Sequence, residues 1–369
     1  MILIGTDEGI YRWVDGAGWP VYHALQERSV VGLTSAGSGV LVAVDREGNI
    51  LESLNNGLSW NLLPLPKGVT GTTSVAASGF PPMIVAAVKP LGLYRRVVGG
   101  RSPRATVKVA PSGAGLAPAA LSRVRGIAQV ATARIAPSRF QHTSDAKILD
   151  LAGWTSLDAP PTSKDTIATR DRGLVVAQTE VRLLEVLPGT PGTWLAAVAG
   201  SGLWASEAGR NWTQCAGMPN EVYSVRGVPG RPGHAWAATR DGARFTADGG
   251  KTWEDRSVGL ENVRQVRVIE IKPDAPETLL AGCGSTDKGE NVGLFESANG
   301  GKSWTQVKKN LPESFGPDTI TDIRYDPTAT DHTVVALGSG ELWATRNGGA
   351  YWGPLARQIH AARVLCPMS

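Results

Sequence analysis

The octet Thr246-Ala247-Asp248-Gly249-Gly250-Lys251-Thr252-Trp253 decides how this chain folds, because its pattern occurs four times. The pattern is Ser/Thr-x-Asp/Asn-x-Gly-x-x-Trp, and the other copies occupy residues 53–60, 297–304 and 345–352. A polar turn that recurs at a period of roughly 40 to 50 residues is typical of stacked copies of one supersecondary unit. We therefore predict a repeat protein in which most units contain one such turn.

Each octet has the chemistry of a tight turn between two strands. The side-chain oxygen of its Asp or Asn can accept hydrogen bonds from backbone N–H groups just ahead of it. The glycine two positions later supplies the positive φ that tight hairpins often require, and the tryptophan opens the next strand and covers the neighbouring unit. The residues with these three roles are Asn55, Gly57 and Trp60; Asp248, Gly250 and Trp253; Asn299, Gly301 and Trp304; and Asn347, Gly349 and Trp352.

The four octets resemble the Asp-box, also called the BNR repeat, of Asp-box β-propellers. That group includes sialidases, xyloglucanases, the sortilin-type receptor propellers and the photosystem II assembly factor. The resemblance implies an all-β chain, with residues 1–369 forming a single β-propeller domain of four-stranded blades. It implies no particular activity, because across the family the box is a structural turn away from the catalytic centre.

The number of blades is predicted to be eight, with seven as the alternative. Eight units of about 46 residues account for the 369 residues, which is close to the usual size of a blade. One of the eight is a worn blade at about 121–157, which ends in Gly153-Trp154. The alternative is seven blades with a long insertion, because residues 160–181 fit neither neighbouring blade.

The two ends of the chain look like parts of the same blade. Residues 2–6 read as a second strand with no first strand before them, and residues 359–366 read as a first strand with no blade after them. We predict that these two strands pair and close the ring.

The location of the protein is predicted to be cytoplasmic. The N-terminus lacks a basic segment followed by an apolar one, and no apolar run approaches the roughly 18 to 20 residues that span a bilayer. A chain from which a leader peptide had been removed would lack the same N-terminal signal. The three cysteines, Cys215, Cys283 and Cys366, are widely spaced and are expected to be small buried residues in a reducing compartment.

Charge is distributed unevenly along the chain. Residues 53–144 contain 11 Lys or Arg and no Asp or Glu, whereas the other residues contain 26 Lys or Arg and 33 Asp or Glu. The net charge of +4 is therefore the sum of +11 in this stretch and −7 elsewhere. We expect one side of the ring to be positive.

This basic sector favours a surface that docks an acidic protein, because arginine pairs bidentately with carboxylates. The alternative is a solvated basic surface that only aids solubility. Nucleic acid is disfavoured because aromatic residues are not interleaved with the arginines. We expect a monomeric fold that acts within a complex. The candidate partner-binding residues are Arg95, Arg96, Arg101, Arg104, Arg123 and Arg125.

No catalytic residue is assigned, and a glycan-acting hydrolase or a glycan-binding lectin using the loop face is the alternative function. A sialidase, by resemblance, needs an Arg-Ile-Pro motif before the first box, whereas this chain has only Arg134-Ile135-Ala136-Pro137. Other glycosidases use two carboxylates across the scissile bond. Loop carboxylates that suit this role are Asp7, Glu8, Asp45, Glu47, Asp241, Asp287, Glu290 and Glu341.

Metal and cofactor chemistry have little support in the sequence. The five histidines show no His-x-x-x-His spacing, and the three cysteines show no Cys-x-x-Cys spacing. The glycine-rich pieces lack the lysine of a phosphate-binding loop. We therefore predict no metal and no cofactor.

Overall fold

The computed structural model is all-β in the part of the chain that it describes. It describes residues 1–14, 20–78, 82–89, 92–98, 153–160, 167–169, 174–176, 180–187, 192–260, 263, 265–284, 293–312, 315, 318–356, 359 and 362–368. Within these ranges, no helix has the length and apolar character needed to cross a membrane.

Twenty-eight of the thirty strands in the described ranges form seven four-stranded antiparallel sheets, which we call blades 1 to 7. In each blade the strands are named from the inner strand outward. Blade 1 is β30 (Val364–Pro367), β1 (Ile2–Thr6), β2 (Gly9–Trp13) and β3 (Val21–Ala24). Blade 2 is β4 (Val30–Gly37), β5 (Val40–Asp45), β6 (Ile50–Ser53) and β7 (Asn61–Leu63). Blade 3 is β8 (Gly71–Ser78), β9 (Met83–Lys89), β10 (Gly92–Val97) and β11 (Thr155–Leu157).

The remaining four blades follow the same order along the chain. Blade 4 is β14 (Val181–Val186), β15 (Thr193–Val198), β16 (Gly202–Glu207) and β17 (Arg210–Gln214). Blade 5 is β18 (Val222–Gly227), β19 (Ala235–Thr239), β20 (Gly242–Thr246) and β21 (Glu254–Asp255). Blade 6 is β22 (Gln265–Ile271), β23 (Leu279–Gly284), β24 (Gly293–Ser297) and β25 (Thr305–Gln306). Blade 7 is β26 (Ile320–Asp326), β27 (Ala329–Leu337), β28 (Leu342–Thr345) and β29 (Gly353–Ala356). A separate hairpin pairs β12 (Ile167–Thr169) with β13 (Leu174–Val176).

The seven inner strands form a closed circle, which makes the fold a seven-bladed β-propeller. Each inner strand contacts the inner strands of the two adjacent blades, in the cyclic order β30, β4, β8, β14, β18, β22, β26 and back to β30. Because β8 contacts β14 directly, no further blade lies between blades 3 and 4. The eight-blade prediction is therefore wrong, and its seven-blade alternative is the correct one.

The error in the blade count arose at residues 121–157. Instead of ending a separate blade, Thr155 pairs with Arg95, so β11 is the outer strand of blade 3. Trp154 is fully buried and its indole N–H donates to the carbonyl oxygen of Pro64 at 2.9 Å. The chain thus leaves the third strand of blade 3 after Val97 and returns to its fourth strand at Thr155, and residues 99–152 between them lie outside the described part.

The predicted closure of the ring is confirmed. Strand β30 pairs antiparallel with β1, with Leu3 opposite Cys366 and Ile4 opposite Leu365. Leu365 is completely buried, and Cys366 is 2% exposed. The first and last strands of the chain thus share blade 1, so the ring has no open sheet edge at its seam.

The core lies between the faces of adjacent blades. Second strands are rich in Ala and Val and are almost entirely buried, as in β5, β15 and β19. Apolar residues of neighbouring blades form joint clusters, one of which places the ring centroids of Trp236 and Trp304 6.3 Å apart in an edge-to-face arrangement. Small residues on the second strands let the sheets approach, and the octet tryptophans fill the wider gaps farther from the axis.

The octets form the turns between third and fourth strands. In blade 5, the Asp248 carboxylate accepts the N–H of Thr252 at 3.0 Å, and the Thr246 hydroxyl accepts the N–H of Gly250 at 3.0 Å. Gly250 has φ +87°. Blades 2, 6 and 7 repeat these bonds with Asn55, Asn299 and Asn347. The fourth strand begins one residue after each tryptophan rather than at it.

Gly301 provides a test of how tightly an octet is packed against its neighbour. An added Cβ would lie 2.1 Å from the Trp236 ring of blade 5, at φ +71°. We expect Gly301→Ala to destabilise the protein by at least about 2 kcal/mol, because strain and overpacking add. Chemical denaturation measures this loss.

Gly230→Ala is the matched control, because Gly230 has a similar φ of +69° but no atom within 4 Å of an added Cβ. It reports the backbone strain alone. Equal losses for the two variants would show that Trp236 moves aside without cost.

Candidate functional site at the channel mouth

The inner strands surround a central channel with a cavity of about 520 Å³. Because adjacent strands are antiparallel, the turns between second and third strands lie where the inner strands begin, and the octets lie at the opposite end. We call the first end the mouth and the second the octet end. Residues at the start of several inner strands line the mouth, among them Arg182, Tyr223, Arg267 and Arg363.

Arg182 and Arg267 make the mouth positive beside blades 4 to 6. Arg182, the second residue of β14, is exposed, and Arg267 on β22 is half-buried. Within the described residues neither guanidinium forms a salt bridge with a carboxylate. Arg267 instead lies over the Tyr223 ring, with its Cζ 4.3 Å from the ring centroid, which is an attractive cation–π contact.

Tyr223 is itself held in place by an acidic residue. Its hydroxyl donates to Glu221 at 2.9 Å, and burial together with this carboxylate raises the pKa of Tyr223 above its usual value. The phenol therefore stays neutral at physiological pH. Glu221 and Tyr223 thus position Arg267 at the mouth.

The mouth continues outward as a groove across blades 4 to 6. A second cavity of about 710 Å³ shares Arg182, Leu183, Tyr223 and Arg267 with the channel. Its remaining lining residues are Ala197, Val198, Ala199, Gly200, Asn220, Glu221, Val222 and Gln265. The shared residues join the axial channel and the groove into one concave surface with two arginines at the junction.

Arginines on the other side of the mouth are already paired. Arg363 binds Asp7 bidentately at 3.2 and 2.8 Å, and Arg46 approaches the same carboxylate at 2.9 Å. The hydrogen bond from Arg363 is the main reason that the pKa of Asp7 is lowered to about 2. This part of the mouth is a preformed ion-pair network beside blades 1 and 2.

A second charged cluster lies deeper in the channel, toward the octet end. Arg324 contacts Glu270 at 2.8 Å and Asp322 at 3.1 Å, and Arg226 contacts Glu270 at 3.4 Å. Burial raises the pKa of Glu270 and of Glu185, against the opposing effect of the two arginines. The cluster therefore contains three carboxyl groups and only two guanidinium groups in a poorly hydrated space.

This deep cluster also holds the strand that closes the ring. The Asp322 carboxylate accepts the N–H of Leu365 at 2.9 Å, and Arg324 Nε donates to the carbonyl oxygen of Leu365 at 3.1 Å. Blade 7 thus satisfies both backbone groups of one residue in β30. We assign the cluster to structure rather than to ligand binding.

The predicted basic sector is only partly described. Arg95 and Arg96 lie on β10, the third strand of blade 3, whereas Arg101, Arg104, Arg123 and Arg125 lie outside the described residues. Arg96 is close enough to Glu52 of blade 2 to oppose the rise in the pKa of Glu52 that burial causes. Arg96 therefore interacts with the adjacent blade.

Sequence reasoning missed the arginines at the mouth because they are isolated in the sequence. Arg182 lies between Val181 and Leu183, and Arg267 lies between Val266 and Val268. On an inner strand, alternate residues face the channel and the adjacent blades. An arginine between two apolar residues on a first strand was the signal that could have found them.

Two of the loop carboxylates considered for catalysis are already held by arginines. Asp7 pairs with Arg363 and Arg46, and the buried Asp45 accepts a 2.8 Å bond from Arg28. Asp287 and Glu290 lie outside the described residues. In the described part of the chain, no group of three or more His, Cys, Asp or Glu residues could hold a metal ion.

Comparison with known proteins supports the fold and leaves the activity open. No protein-family model matches the chain, and no curated protein matches it in sequence. Solved structures do match. YCF48 bound to D1 peptide is 14% identical with a TM-score of 0.54, and the match covers 95% of this chain and 87% of YCF48.

Two further matches are propellers from other proteins. The GH74 xyloglucanase from Xanthomonas campestris is 16% identical with a TM-score of 0.60, and 98% of this chain matches 51% of the enzyme. The WD40 β-propeller domain of Doa1 is 10% identical with a TM-score of 0.54, over 92% of this chain and 86% of that domain. At these identities the likeness shows the fold alone, and the fold is a β-propeller.

Proposed function

We propose that this protein is a non-catalytic propeller that acts as an interaction or assembly scaffold and docks an acidic protein segment at the channel mouth. The observation that carries this proposal is the pair Arg182 and Arg267, which share one concave surface and have no carboxylate partner within the described residues. The assignment of the four octets as Asp-boxes is part of the same proposal.

The geometry suits an extended acidic segment. Arginine forks bind carboxylates bidentately, and a concave surface removes such contacts from bulk water, where screening would weaken them. The groove has room for a chain that crosses from blade 5 into the channel. YCF48, which shares the fold, was solved with a bound D1 peptide, so a propeller of this shape is able to receive a peptide.

The basic sector predicted from sequence remains a second contact in this proposal. Arg95, Arg96, Arg101, Arg104, Arg123 and Arg125 belong to a stretch of net charge +11, which would attract the same acidic partner over longer distances. The cytoplasmic location also stays a prediction.

A charge reversal tests the mouth directly. The double variant Arg182→Glu and Arg267→Glu is expected to weaken binding of a fluorescein-labelled oligoglutamate peptide by at least about tenfold, because two attractive contacts become repulsive. Fluorescence anisotropy at low and high salt measures the affinity. Binding should also weaken as salt rises.

Arg210→Glu is the matched control, because Arg210 is an exposed arginine on the outer strand of blade 4, away from the channel. It should leave the affinity nearly unchanged. If the control and the double variant weaken binding equally, the peptide recognises net charge rather than the mouth, and the proposal fails.

The glycan-acting alternative rests on the likeness to the GH74 xyloglucanase, which matches over about half of that enzyme. A panel of fluorogenic glycosides together with a glycan array tests it. Turnover that is lost when Asp241 or Glu341 is replaced would establish a hydrolase in place of the scaffold.

A further inference from the structure

One carboxyl group of the channel forms no ion pair within the described residues. Glu185, the next to last residue of β14, is half-buried and lines the channel cavity. One of its oxygens accepts the backbone N–H of Gly227 at 3.1 Å, and no other described donor reaches its carboxyl group. A carboxylate has about four acceptor sites, so Glu185 keeps acceptor capacity toward the cavity.

The two arginines of the deep cluster are occupied by its other carboxylates. Arg324 contacts Glu270 and Asp322, and Arg226 contacts the same two groups at 3.4 and 3.6 Å. The structural role of the cluster depends on Asp322 and Arg324, because these residues bind the closing strand. Glu185 is the member of the cluster that neither the ion pairs nor the closing strand use.

One side of the channel adds no charge that could balance Glu185. Three consecutive inner strands, β30, β4 and β8, contain no charged residue. Arg363, just before β30, is bound by Asp7. The charged residues that line the cavity from β14, β18, β22 and β26 are Arg182, Glu185, Arg226, Arg267, Glu270, Asp322 and Arg324. The deep part of the channel therefore has a surplus of one carboxyl group.

Glu185 lies farther down the channel than the two arginines of the mouth. It follows Arg182 by three residues on the same strand, a distance of about 10 Å at roughly 3.3 Å per residue. Arg182, Arg267 and Glu185 line the same cavity of about 520 Å³, a volume typical of ligand pockets. A segment whose carboxylates bind at the mouth can therefore reach Glu185 with a residue about three positions away.

We propose that the acidic segment docked at the mouth also carries a lysine, whose ammonium group enters the channel and binds Glu185. One surplus carboxylate matches one positive charge, and lysine places a compact charge on a slender, flexible stem. This inference rests on the proposed function, because the mouth must first hold the acidic residues. It narrows the partner to an acidic segment with a lysine about three positions before or after its acidic run.

The surroundings of Glu185 favour a cation at this position. Burial raises the pKa of Glu185 above its usual value, because a carboxylate is poorly stabilised away from water. An ammonium group would supply the missing positive charge, and salt would screen this pair less than a pair at the surface. Since the ionised carboxylate is the form that binds lysine, protonation of Glu185 competes with binding as pH falls.

Peptide pairs that differ in one side chain test the proposal. Each peptide is labelled with fluorescein, has blocked termini, and joins four glutamates through two glycines to lysine or to its uncharged analogue norleucine. One pair places this residue after the glutamates and the other pair places it before them, so both chain directions are covered. In at least one pair, fluorescence anisotropy should show the lysine peptide binding at least about tenfold more tightly, because it gains an ion pair in a poorly hydrated site.

Two variants locate the charge that lysine recognises. Glu185→Gln should abolish the preference for lysine without weakening the norleucine peptide, since the new amide oxygen still accepts the N–H of Gly227. Glu180→Gln is the matched control, because Glu180 precedes β14 and pairs with Lys89 at 2.8 Å instead of lining the channel. The control should keep the preference. If it loses the preference as fully as Glu185→Gln does, lysine responds to overall negative charge and the inference fails.

The preference for lysine should also be smaller at pH 5 than at pH 8. Protonated Glu185 offers no charge, whereas lysine stays charged at both values, and the norleucine peptide corrects for protonation of the glutamates. Equal affinities of the lysine and norleucine peptides in both pairs would overturn the inference and leave docking at the mouth intact. If none of the peptides binds, the proposed function fails and this inference fails with it.

Discussion

Removing residues 359–369 is expected to lower the free energy of unfolding by more than about 4 kcal/mol and the melting temperature by about 10 °C or more. The deletion removes β30, whose Leu365 and Cys366 are buried between blades 1, 2 and 7. The deletion also leaves the edge of β1 unpaired. Strand β1 then becomes the innermost strand of blade 1 and is exposed to the channel. Thermal melts followed by circular dichroism measure the loss.

Arg363→Gln separates the contribution of β30 to stability from the contribution of the ion pair that Arg363 forms just before this strand. This variant removes the contacts between Arg363 and Asp7 and keeps β30 intact. Because the pair is partly exposed, its loss should cost only about 0 to 1 kcal/mol. A deletion variant that melts like this control would show that the pairing of β30 with β1 contributes little.

Replacement of Arg324 by Ala is expected to cost about 3 to 5 kcal/mol, because it leaves buried carboxylates without their main cation. Arg324 bridges Glu270 and Asp322 and also donates to Leu365 in the closing strand. The loss should therefore appear as weaker ring closure as well as lower stability. Equilibrium denaturation measures it.

The double variant Arg324→Met and Glu270→Gln is the control for this prediction. It removes the charge of Glu270 together with the guanidinium and leaves Asp322 to Arg226, so it should recover a large part of the stability lost in Arg324→Ala. If the double variant is less stable than Arg324→Ala, the buried charge is not the reason for the loss.

The pH dependence of Arg324→Ala follows from the same cluster. The pKa of Glu270 is raised in the folded protein by burial, so the folded state takes up a proton more readily than the unfolded chain. Ionised Glu270 therefore lowers stability, and the penalty grows as pH rises above the ordinary glutamate pKa. Without Arg324 the penalty should be larger at pH 8 than at pH 5.

The octets could be interpreted from the sequence because their chemistry is local. Asn55, Ser53 and Gly57 lie within five residues of one another, and the hydrogen bonds that define the turn join residues two to four positions apart. The seam was predictable for a related reason. The first and the last strand each lack a partner in the blade pattern. Pairing with each other is the simplest way for both to form their backbone hydrogen bonds.

The blade count failed because it depended on contacts over long distances along the chain. Trp154 follows a glycine and precedes a strand in the same way whether it belongs to a new blade or to blade 3. The pairing of Arg95 with Thr155 and the contact of β8 with β14 distinguish the two cases. Neither contact can be inferred from the spacing of motifs or from the composition of the sequence.

The octets were sufficient to specify repeated four-stranded blades arranged in a ring, since a turn is built from neighbouring residues. The mouth was not specified in this way. Arg182 and Arg267 are 85 residues apart and belong to different blades, and each alone resembles any exposed strand residue. Only ring closure brings the starts of the inner strands around one axis. There the two arginine side chains line one concave surface.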